Sequence, residues 1–223
     1  MEKKSSSGRH LTVRLKTARK RKISSQRWLT RQLNDPYVQR AKNAGYRSRA
    51  AFKLIEIDDK FKFLKPGAKV VDLGAAPGGW TQVSLERVGP KGKVIGIDLT
   101  PMEPIQGAQL ICGDFCDPQV VEDLKSHLEG EVDVVLSDMA APSTGHSQTD
   151  HLRIMALAEE AFLFAKETLR PGGTFVFKEL RGGAEKELLA LLKKHFEKVV
   201  HFKPPASRSD SAEIYVVALG FRP

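Results

Sequence analysis

A run of small residues between a predicted strand and a predicted helix is the first part of this chain whose pattern suggests chemistry. Residues 70–73 are predicted as a strand, residues 74–79 read Gly-Ala-Ala-Pro-Gly-Gly, and residues 80–88 can form a helix. Glycine lets the backbone turn sharply and approach a ligand, and the first N–H groups of a helix lack partners within it. The pattern predicts a turn that binds a nucleotide-like ligand.

The spacing of this glycine turn differs from the dinucleotide-binding pattern G-x-G-x-x-G. Pro77 has no backbone N–H, so the turn lacks one donor that a pyrophosphate would use. An adenosine-containing ligand without a phosphate therefore fits the turn better.

Three acidic residues at the ends of predicted strands support the same interpretation. Asp98 ends the second strand, about 20 residues after the glycines, where a carboxylate can bind both ribose hydroxyls. Asp114 follows the third strand and Asp138 follows the fourth. Each acid alone could simply cap the next helix. Together with the glycine turn, the three acids favour S-adenosylmethionine as the cofactor.

Two lysines and a further acid could supply the catalytic groups for methyl transfer. Lys178 ends an otherwise apolar strand, Glu213 begins the last strand, and Lys53 lies on a helix that precedes the glycine turn. Methyl transfer to a ribose hydroxyl requires that this hydroxyl be aligned with the sulfonium methyl while its proton is removed. A lysine accepts that proton when burial or a second cation, such as Lys53, favours its neutral form. Asp138 and Glu213 could hold the two lysines, although a lysine that merely extends to water would also explain Lys178.

The predicted elements place these residues at one edge of a sheet. From residue 69 onward strands alternate with helices, which is typical of an α/β fold whose mostly parallel sheet is covered on both faces. The seven predicted strands are 70–73, 93–98, 109–112, 132–137, 174–177, 199–203 and 213–219, and the helices between them are 80–88, 117–128, 150–169 and 184–195. No helix separates the last two strands, so the final strand is predicted to be antiparallel. Its start then lies at the carboxyl ends of the parallel strands, where open α/β sheets bind ligands.

The basic residues are concentrated near the start of the chain. The whole sequence has 36 Lys and Arg against 27 Asp and Glu, and the first 50 residues hold 15 of the basic residues but only two acids. Such a segment favours contact with a polyanion, nucleic acid before an anionic membrane, with a merely solubilising tail as the alternative. Residues 1–24 are predicted to form a disordered basic tail.

Two short helices are predicted after this tail. Asp35 can cap a helix that has proline as its first residue and ends near Gly45. Ser48 can cap a second helix over residues 49–59. Together they are expected to form a basic lid, about residues 35–59, beside the rest of the domain.

Length, hydropathy and cysteine content exclude several classes of protein. With 223 residues, of which 41% are hydrophobic, the chain can bury one full core, and residues 25–223 are predicted as a single domain. We find no run of about 18 apolar residues and no secretory signal, so we expect a cytoplasmic protein without a membrane partner; an organelle transit peptide is the alternative for the basic leader. Cys112 and Cys116 alone form neither a disulfide framework nor a four-ligand zinc site, so no metal is expected and both thiols should be free and buried.

Six short stretches carry a resemblance to a known family. In chain order they are SQRWL (25–29), DPYV (35–38), YRSRAAFKL (46–54), DLGAAPGGW (72–80), GDF (113–115) and SDMA (137–140). The chain resembles the FtsJ-type ribosomal RNA large-subunit methyltransferase E family over nearly everything after residue 24. One departure is Ala141, because many relatives read Asp-Met-Ala-Pro where this chain reads Asp-Met-Ala-Ala-Pro. The extra residue puts the shape of the loop, but not Asp138 itself, in question.

The resemblance implies a Rossmann-like methyltransferase fold and transfer of a methyl group from S-adenosylmethionine to the 2′-hydroxyl of a uridine ribose in large-subunit ribosomal RNA. It implies that the substrate is the assembled large ribosomal subunit, and we expect the protein to act as a monomer. The family's catalytic tetrad falls on Lys53, Asp138, Lys178 and Glu213, with Lys178 as the proton acceptor. Its cofactor contacts fall on Gly78, Trp80, Asp98, Asp114 and Asp138.

Two other functions are consistent with parts of this sequence. A non-catalytic RNA-binding or ribosome-assembly factor could keep the methyltransferase fold, but it would be expected to lose a tetrad residue or the glycine turn, and both are present here. A small-molecule methyltransferase would use the same cofactor without needing the basic N-terminal segment.

Overall fold

Seven strands form one sheet in the part of the chain that the structure describes. The structure is a computed structural model, and it describes residues 23–142, 144–180 and 186–223. In chain order the described elements are α1 (Ile23–Leu33), α2 (Pro36–Ala44), α3 (Ala51–Phe61), β1 (Lys69–Leu73), α4 (Gly79–Val88), β2 (Lys93–Asp98), β3 (Ala108–Cys112), α5 (Pro118–Ser126), β4 (Val132–Ser137), α6 (Ser147–Thr168), β5 (Leu169–Leu180), α7 (Lys186–His195), β6 (Phe196–Phe202) and β7 (Glu213–Phe221). The strand order in the sheet is β3-β2-β1-β4-β5-β7-β6.

The directions of the strands confirm the predicted sheet. Strands β1 to β5 pair in parallel, and β7 runs antiparallel to both β5 and β6. Residues 203–212 join β6 to β7 without a helix, and a connection of that length can only join antiparallel neighbours. In the register of β5 with β7, Lys178 is opposite Tyr215 and Leu180 is opposite Glu213. The start of β7 therefore lies beside the end of β5, at the edge predicted to bind ligands.

Helices cover both faces of the sheet, as predicted. On one face α5, α6 and α7 form a core in which Phe162 and Phe175 are buried. On the other face α3 and α4 form a second core that includes Leu54 and Val176. Successive strand residues point to opposite faces, so Phe175 and Val176 belong to different cores. By the same alternation Lys178 lies on the α3 and α4 face.

The N-terminal region contains three helices, one more than the sequence predicted. As predicted, the Asp35 side chain caps α2 by accepting a hydrogen bond from the N–H of Tyr37 at 3.0 Å, and Gly45 ends the helix with a φ of 77°. Helix α3 begins at Ala51 and has no side-chain cap, so the predicted Ser48 cap was wrong. The residues before α3 form a hydrogen-bonded turn instead, and the Ser48 hydroxyl faces the start of α4.

Other differences concern where elements begin. Helix α1 was not predicted, because its sequence contains few apolar residues with which to recognise a buried face. Of the predicted basic tail, residues 1–22 lie outside the described residues, whereas residues 23 and 24 begin α1. Strand β5 begins earlier than predicted, at Leu169, but its pairing with β4 is irregular until Thr174. The predicted start of the last helix, at 184 and 185, also lies outside the described residues.

The described residues also bear on the membrane, metal and cysteine expectations. No helix among them is both long and apolar enough to cross a bilayer. Within the same residues, no group of three His, Cys, Asp or Glu side chains is placed to hold a metal ion. Cys112 and Cys116 are free, as predicted, but both are exposed, so the prediction of buried thiols was wrong. Cys112 ends β3, which is an edge strand of the sheet and is only partly covered.

Candidate active site

Lys178 and Asp138 form an ion pair at the carboxyl edge of the sheet. The Lys178 ammonium lies 3.1 Å from Asp138 Oδ1 and donates a hydrogen bond to the Asp138 backbone oxygen at 2.6 Å. The pairing of β4 with β5 places them together, because Ser137 and Phe177, the residues just before each of them, are register partners. Only 9% of the Lys178 side chain and 18% of the Asp138 side chain are exposed. The pair is therefore largely shielded from water but open on one side.

Lys53 and Glu213 form a second ion pair beside the first. The Lys53 ammonium lies 2.8 Å from each carboxylate oxygen of Glu213. The Ser207 hydroxyl donates a further hydrogen bond to Glu213 Oε1 at 2.8 Å. Lys53 comes from α3 and Glu213 from the start of β7, so this pair connects the predicted lid to the sheet. All four residues of the predicted tetrad thus lie in one cluster.

Tyr215 joins the two ion pairs, and the sequence analysis missed it. Its hydroxyl donates to Asp138 Oδ1 at 2.8 Å and accepts a hydrogen bond from the Lys53 ammonium at 3.1 Å. A signal was available, because Tyr215 lies two residues after Glu213 in a strand and must share its face. In the sequence it looks like an ordinary apolar core residue, since Ile, Val and Ala surround it.

The electrostatics of the cluster keep its acid ionised and its phenol protonated. Burial raises the pKa of Asp138, but the Lys178 and Lys53 ammonium groups and the Tyr215 hydrogen bond outweigh burial and hold the pKa below its usual range. Burial and the charges of Asp138 and Glu213 raise the pKa of Tyr215 well above its usual value. Within the tetrad, two cations balance two carboxylates.

A second feature of this edge is a cavity at the ends of β2, β3 and β4, which we call the cofactor cavity. Its lining comprises Gly74, Ile97, Asp98, Leu99, Gly113, Asp114, Phe115, Cys116, Met139, Ala140 and Leu157. Two of the five predicted cofactor residues, Asp98 and Asp114, line it. Asp138 does not, but Met139 and Ala140 follow it directly and do. The cavity therefore lies beside the Lys178 and Asp138 pair.

Asp98 fixes the glycine turn as well as lining the cavity. Its Oδ2 accepts a hydrogen bond from the N–H of Ala76 at 2.9 Å, and its Oδ1 accepts one from the N–H of Thr100 at 2.8 Å. Asp98 is therefore not the cap of a helix, which was the alternative considered from the sequence. Each carboxylate oxygen has a second lone pair that can accept a ligand hydroxyl.

The two predicted glycine-turn contacts occupy different surroundings. Gly78, with a φ of 110°, precedes α4, and a Cβ there would come within 2.6 Å of the Ile105 side chain. Trp80 is buried: its Nε1 donates to the Ala50 oxygen at 2.8 Å and its ring centroid lies 5.5 Å from that of Tyr215. The Trp80 side chain thus supports α3 and Tyr215, and only its backbone at the start of α4 could contact a ligand.

The cofactor cavity has the chemistry of an adenosine site. Asp98 and Asp114 place carboxylates where hydroxyl donors can be bound, and apolar side chains of Ile97, Leu99 and Met139 supply surface for a planar base. Leu99 is 68% exposed, so its side chain is available as apolar surface at the mouth of the cavity. These residues fit an adenosine-containing cofactor.

Comparison with known proteins agrees with this geometry. Residues 46–221 match the model of the FtsJ-like methyltransferase family. A ribosomal RNA large subunit methyltransferase E of Parvibaculum lavamentivorans is 61% identical, over 96% of this chain and 88% of its own length. The protein of the same name in Cereibacter sphaeroides is 58% identical, over 100% of this chain and 96% of its own length.

Solved structures show the same fold. A Plasmodium falciparum protein named as a ribosomal RNA methyltransferase superimposes with a TM-score of 0.72 and 38% identity, covering 79% of this chain and 98% of its own. Aeropyrum pernix fibrillarin, solved in complex with S-adenosyl-L-methionine, gives a TM-score of 0.53 at 20% identity, covering 78% of this chain and 75% of its own, and so shares the fold alone. From the extent of the family match and the identity to these relatives, this chain belongs to the FtsJ-like methyltransferase family.

Proposed function

We propose that this chain transfers a methyl group from S-adenosylmethionine to the 2′-hydroxyl of a uridine ribose in large-subunit ribosomal RNA, on the assembled large ribosomal subunit. Family membership supports methyl transfer, and the names of the relatives support ribosomal RNA as the substrate. The observation that carries the proposal is the Lys178 and Asp138 ion pair, which is held beside the cofactor cavity by the rest of the tetrad.

The cofactor would be bound by residues at the ends of the parallel strands. Asp98 and Asp114 would accept hydrogen bonds from its hydroxyl groups, and the backbone at Gly78 and Trp80 would contact it at the start of α4. Asp138 would lie at the side of the cofactor site where the methyl group is transferred. When bound, the cofactor supplies an electrophilic methyl group on its sulfonium.

Lys178 would take the proton from the ribose hydroxyl. It would do so as the neutral amine, after its ammonium group has released a proton to water. Two oxygens of Asp138 hold the Lys178 nitrogen in one place, so that it is positioned for the substrate hydroxyl. Asp138 is fixed in turn by Tyr215, and Lys53 and Glu213 fix Tyr215 from the other side. Such support around a reacting group is what general base catalysis requires, because the base must lie within hydrogen-bond reach of the proton.

The basic surface of the N-terminal helices supports an RNA substrate. Arg31 on α1 and Arg49 before α3 line a cavity together with Lys53, and Arg40 is an exposed residue of α2. Arg40 also lies 4.5 Å from the ring centre of Phe52, which fixes its guanidinium while leaving it available to a phosphate. We place the protein in the cytoplasm with the ribosomal subunits, acting as a monomer.

The decisive experiment separates cofactor binding from chemistry at Lys178. Lys178→Ala removes the proposed proton acceptor but no proposed cofactor contact, so calorimetry should show unchanged S-adenosylmethionine affinity while methyl transfer falls by roughly 10² to 10⁴. Lys178→Arg should be nearly as inactive, because a guanidinium does not release its proton near neutral pH. Lys93→Ala is the matched control, since Lys93 also pairs with a carboxylate but lies at the other end of the strands.

Large subunits and extracted ribosomal RNA from cells lacking the protein would serve as the two substrates. A 2′-O-methyl group blocks alkaline hydrolysis of the RNA at the modified nucleotide, whereas a methyl group on a base does not. Resistance to alkaline hydrolysis therefore identifies the modified nucleotide. Methylation of a base, or a wild-type rate with Lys178→Arg, would contradict the proposal. Tight binding of both cofactor and subunit without any methyl transfer would favour the assembly-factor alternative.

A further inference from the structure

A second cavity, which we call the arginine cavity, lies on the lid side of the tetrad. It is lined by Arg31, Arg49, Lys53, Arg208, Asp210, Ser211 and Glu213. Lys53 and Glu213 belong both to this cavity and to the tetrad. Whatever binds in the arginine cavity therefore lies next to the proposed ribose site.

Asp35 contacts two of these arginines and so keeps them close together. A single oxygen, Asp35 Oδ2, lies 3.1 Å from Arg49 Nε and 3.3 Å from Arg208 Nη2. The other oxygen, Oδ1, accepts the hydrogen bond from the N–H of Tyr37 that caps α2. Asp35 is 8% exposed, so it is a largely buried anchor for both guanidinium groups. One negative charge here faces two positive charges.

The other charged groups of the cavity do not correct this imbalance. Lys53 is balanced by Glu213 at 2.8 Å, and Arg31 pairs with Asp210 at 3.4 Å. The four cations of the cavity thus face three carboxylates in all, counting Asp35. The arginine cavity keeps a net positive charge that an anion of charge −1 would neutralise.

The arginines also keep donors available. Arg49 Nη2 donates to the Ala206 oxygen at 2.5 Å, and Arg208 Nη2 donates to Gln32 Oε1 at 3.2 Å. Within the described part of the chain, Nη1 of Arg49 and Nη1 of Arg208 make no hydrogen bond. Arg49 Nε is buried, and its contact with Asp35 lacks hydrogen-bond geometry. Two guanidinium groups fixed side by side with spare N–H groups match the oxygens of a phosphate.

We propose that the arginine cavity binds a phosphate of the RNA backbone adjacent to the methylated nucleotide, with Arg49 and Arg208 as its ligands. The inference rests on the proposed function, because it takes the polyanion to be RNA. Binding of this phosphate would fix the position of the RNA strand along the protein, so that one ribose hydroxyl reaches Lys178. Because Asp35 also caps α2, binding would tie the N-terminal helices and the β6 to β7 loop to the same strand of RNA.

Binding of a fluorescein-labelled nonauridylate, measured by anisotropy without cofactor over a series of salt concentrations, tests this inference. Arg208→Gln should raise the Kd about tenfold or more, because a charge-assisted hydrogen bond is lost. The slope of log K against log salt should fall by about 0.7, the value for one phosphate contact on a single strand. Arg208→Lys keeps the charge but not the planar fork, so it should keep the slope and recover only part of the affinity.

Arg170→Gln is the matched control. Arg170 also pairs with an aspartate, Asp133, but it lies at the start of β5, at the opposite edge of the sheet from the tetrad. Unchanged Kd and slope for Arg208→Gln, or equal losses for Arg208→Gln and Arg170→Gln, would overturn the inference. Unchanged thermal midpoints show that the variants are folded.

The outcome is separable from that of the proposed function. If wild-type protein binds the oligonucleotide through Arg208 but transfers no methyl group to ribosomal RNA, the proposed function fails and the phosphate site stands. If it methylates the ribose but Arg208→Gln binds normally, the phosphate site fails alone.

Discussion

The Tyr215 hydroxyl lies 2.8 Å from Asp138 Oδ1, and through this contact two separate ion pairs become one network. Among the described residues, this contact gives the Lys178 and Asp138 pair on the sheet its hydrogen-bonded link to the Lys53 and Glu213 pair under the lid. The phenol suits this role because its raised pKa keeps its proton on the oxygen throughout the pH range of ordinary assays. A movement of α3 relative to the sheet would therefore change the position of Asp138.

Replacing Tyr215 with phenylalanine tests this link. Tyr215→Phe removes the hydrogen bond to an ionised Asp138 while keeping the ring that packs on Trp80, so the protein should fold. Methyl transfer should fall about tenfold to a hundredfold, the value of one hydrogen bond to a charged group, with S-adenosylmethionine affinity unchanged. Tyr46→Phe is the matched control, since Tyr46 also donates to a carboxylate, Glu86, at 2.6 Å. Equal activity of the two variants would show that Tyr215 only packs.

Much of the sheet could be predicted from the sequence because apolar residues recur with one spacing in strands and another in helices. The antiparallel β7 followed from the length of residues 203–212 alone. The start of α3 was mispredicted because Ser48 is a good cap by type, yet its hydroxyl lies against Gly79 and is used in packing α3 on α4. Such contacts join segments far apart in the chain, and local pattern does not encode them.

The candidate site shows the same division. Asp138, Lys178 and Glu213 were identified from the sequence because lysines and acids are conspicuous at the ends of predicted strands. Lys53 lies on a helix, and the tetrad as a set came from the family resemblance. Tyr215 and the Asp35 anchor were not, because their roles depend on partners 77 and 173 residues away in the chain. Asp35 was predicted correctly as a helix cap, but a cap uses one carboxylate oxygen, and only the fold shows what the other oxygen binds.

Asp98 should contribute directly to cofactor affinity. Asp98→Ala would also release the N–H of Ala76 and disturb the glycine turn, so Asp98→Asn is the cleaner change. The amide keeps one acceptor oxygen but loses the charge, and S-adenosylmethionine should bind about tenfold more weakly by calorimetry. Asp117→Asn is the control, because Asp117 caps α5 and does not line the cofactor cavity. Unchanged affinity in folded Asp98→Asn would leave Asp98 as a support for the turn only.

Gly74 should be needed for the close approach of two strand ends. It has a φ of 76°, and a Cβ there would lie 2.9 Å from the Met139 backbone, directly after Asp138. Gly67 has a φ of 80°, but a Cβ there would have no atom of the described residues within 4 Å. Both alanine variants should lose about 1 to 2 kcal/mol to left-handed strain, and Gly74→Ala a further 1 to 3 kcal/mol from the collision. Urea denaturation compares them, and equal losses would show that Met139 moves aside freely.

Asp72 provides a pH-dependent prediction, because it is a carboxyl buried in the sheet beneath the glycine turn. It is fully buried, Thr81 donates a hydrogen bond to its Oδ2 at 2.7 Å, and its Oδ1 has no hydrogen-bond partner among the residues that the structure describes. Burial raises the pKa of Asp72 to about 7, and the charges of Asp138 and Asp98 act in the same direction. In the unfolded chain an aspartate titrates near pH 4. The raised value in the fold means that ionised Asp72 opposes folding.

Asp72→Asn should therefore change the pH dependence of stability in a defined direction. Stability from protonated Asp72 is fully present below about pH 4 and is lost as the pH rises through 7, a loss on the order of a few kcal/mol. Asparagine has the same shape and no proton to lose. Asp72→Asn should therefore be more stable relative to wild type at pH 8 than at pH 5. Urea denaturation at both pH values measures this as a more positive difference in the free energy of unfolding, variant minus wild type, at pH 8. A difference between the two proteins that does not change with pH would mean that Asp72 stays ionised in the fold, with a cation or water satisfying its Oδ1.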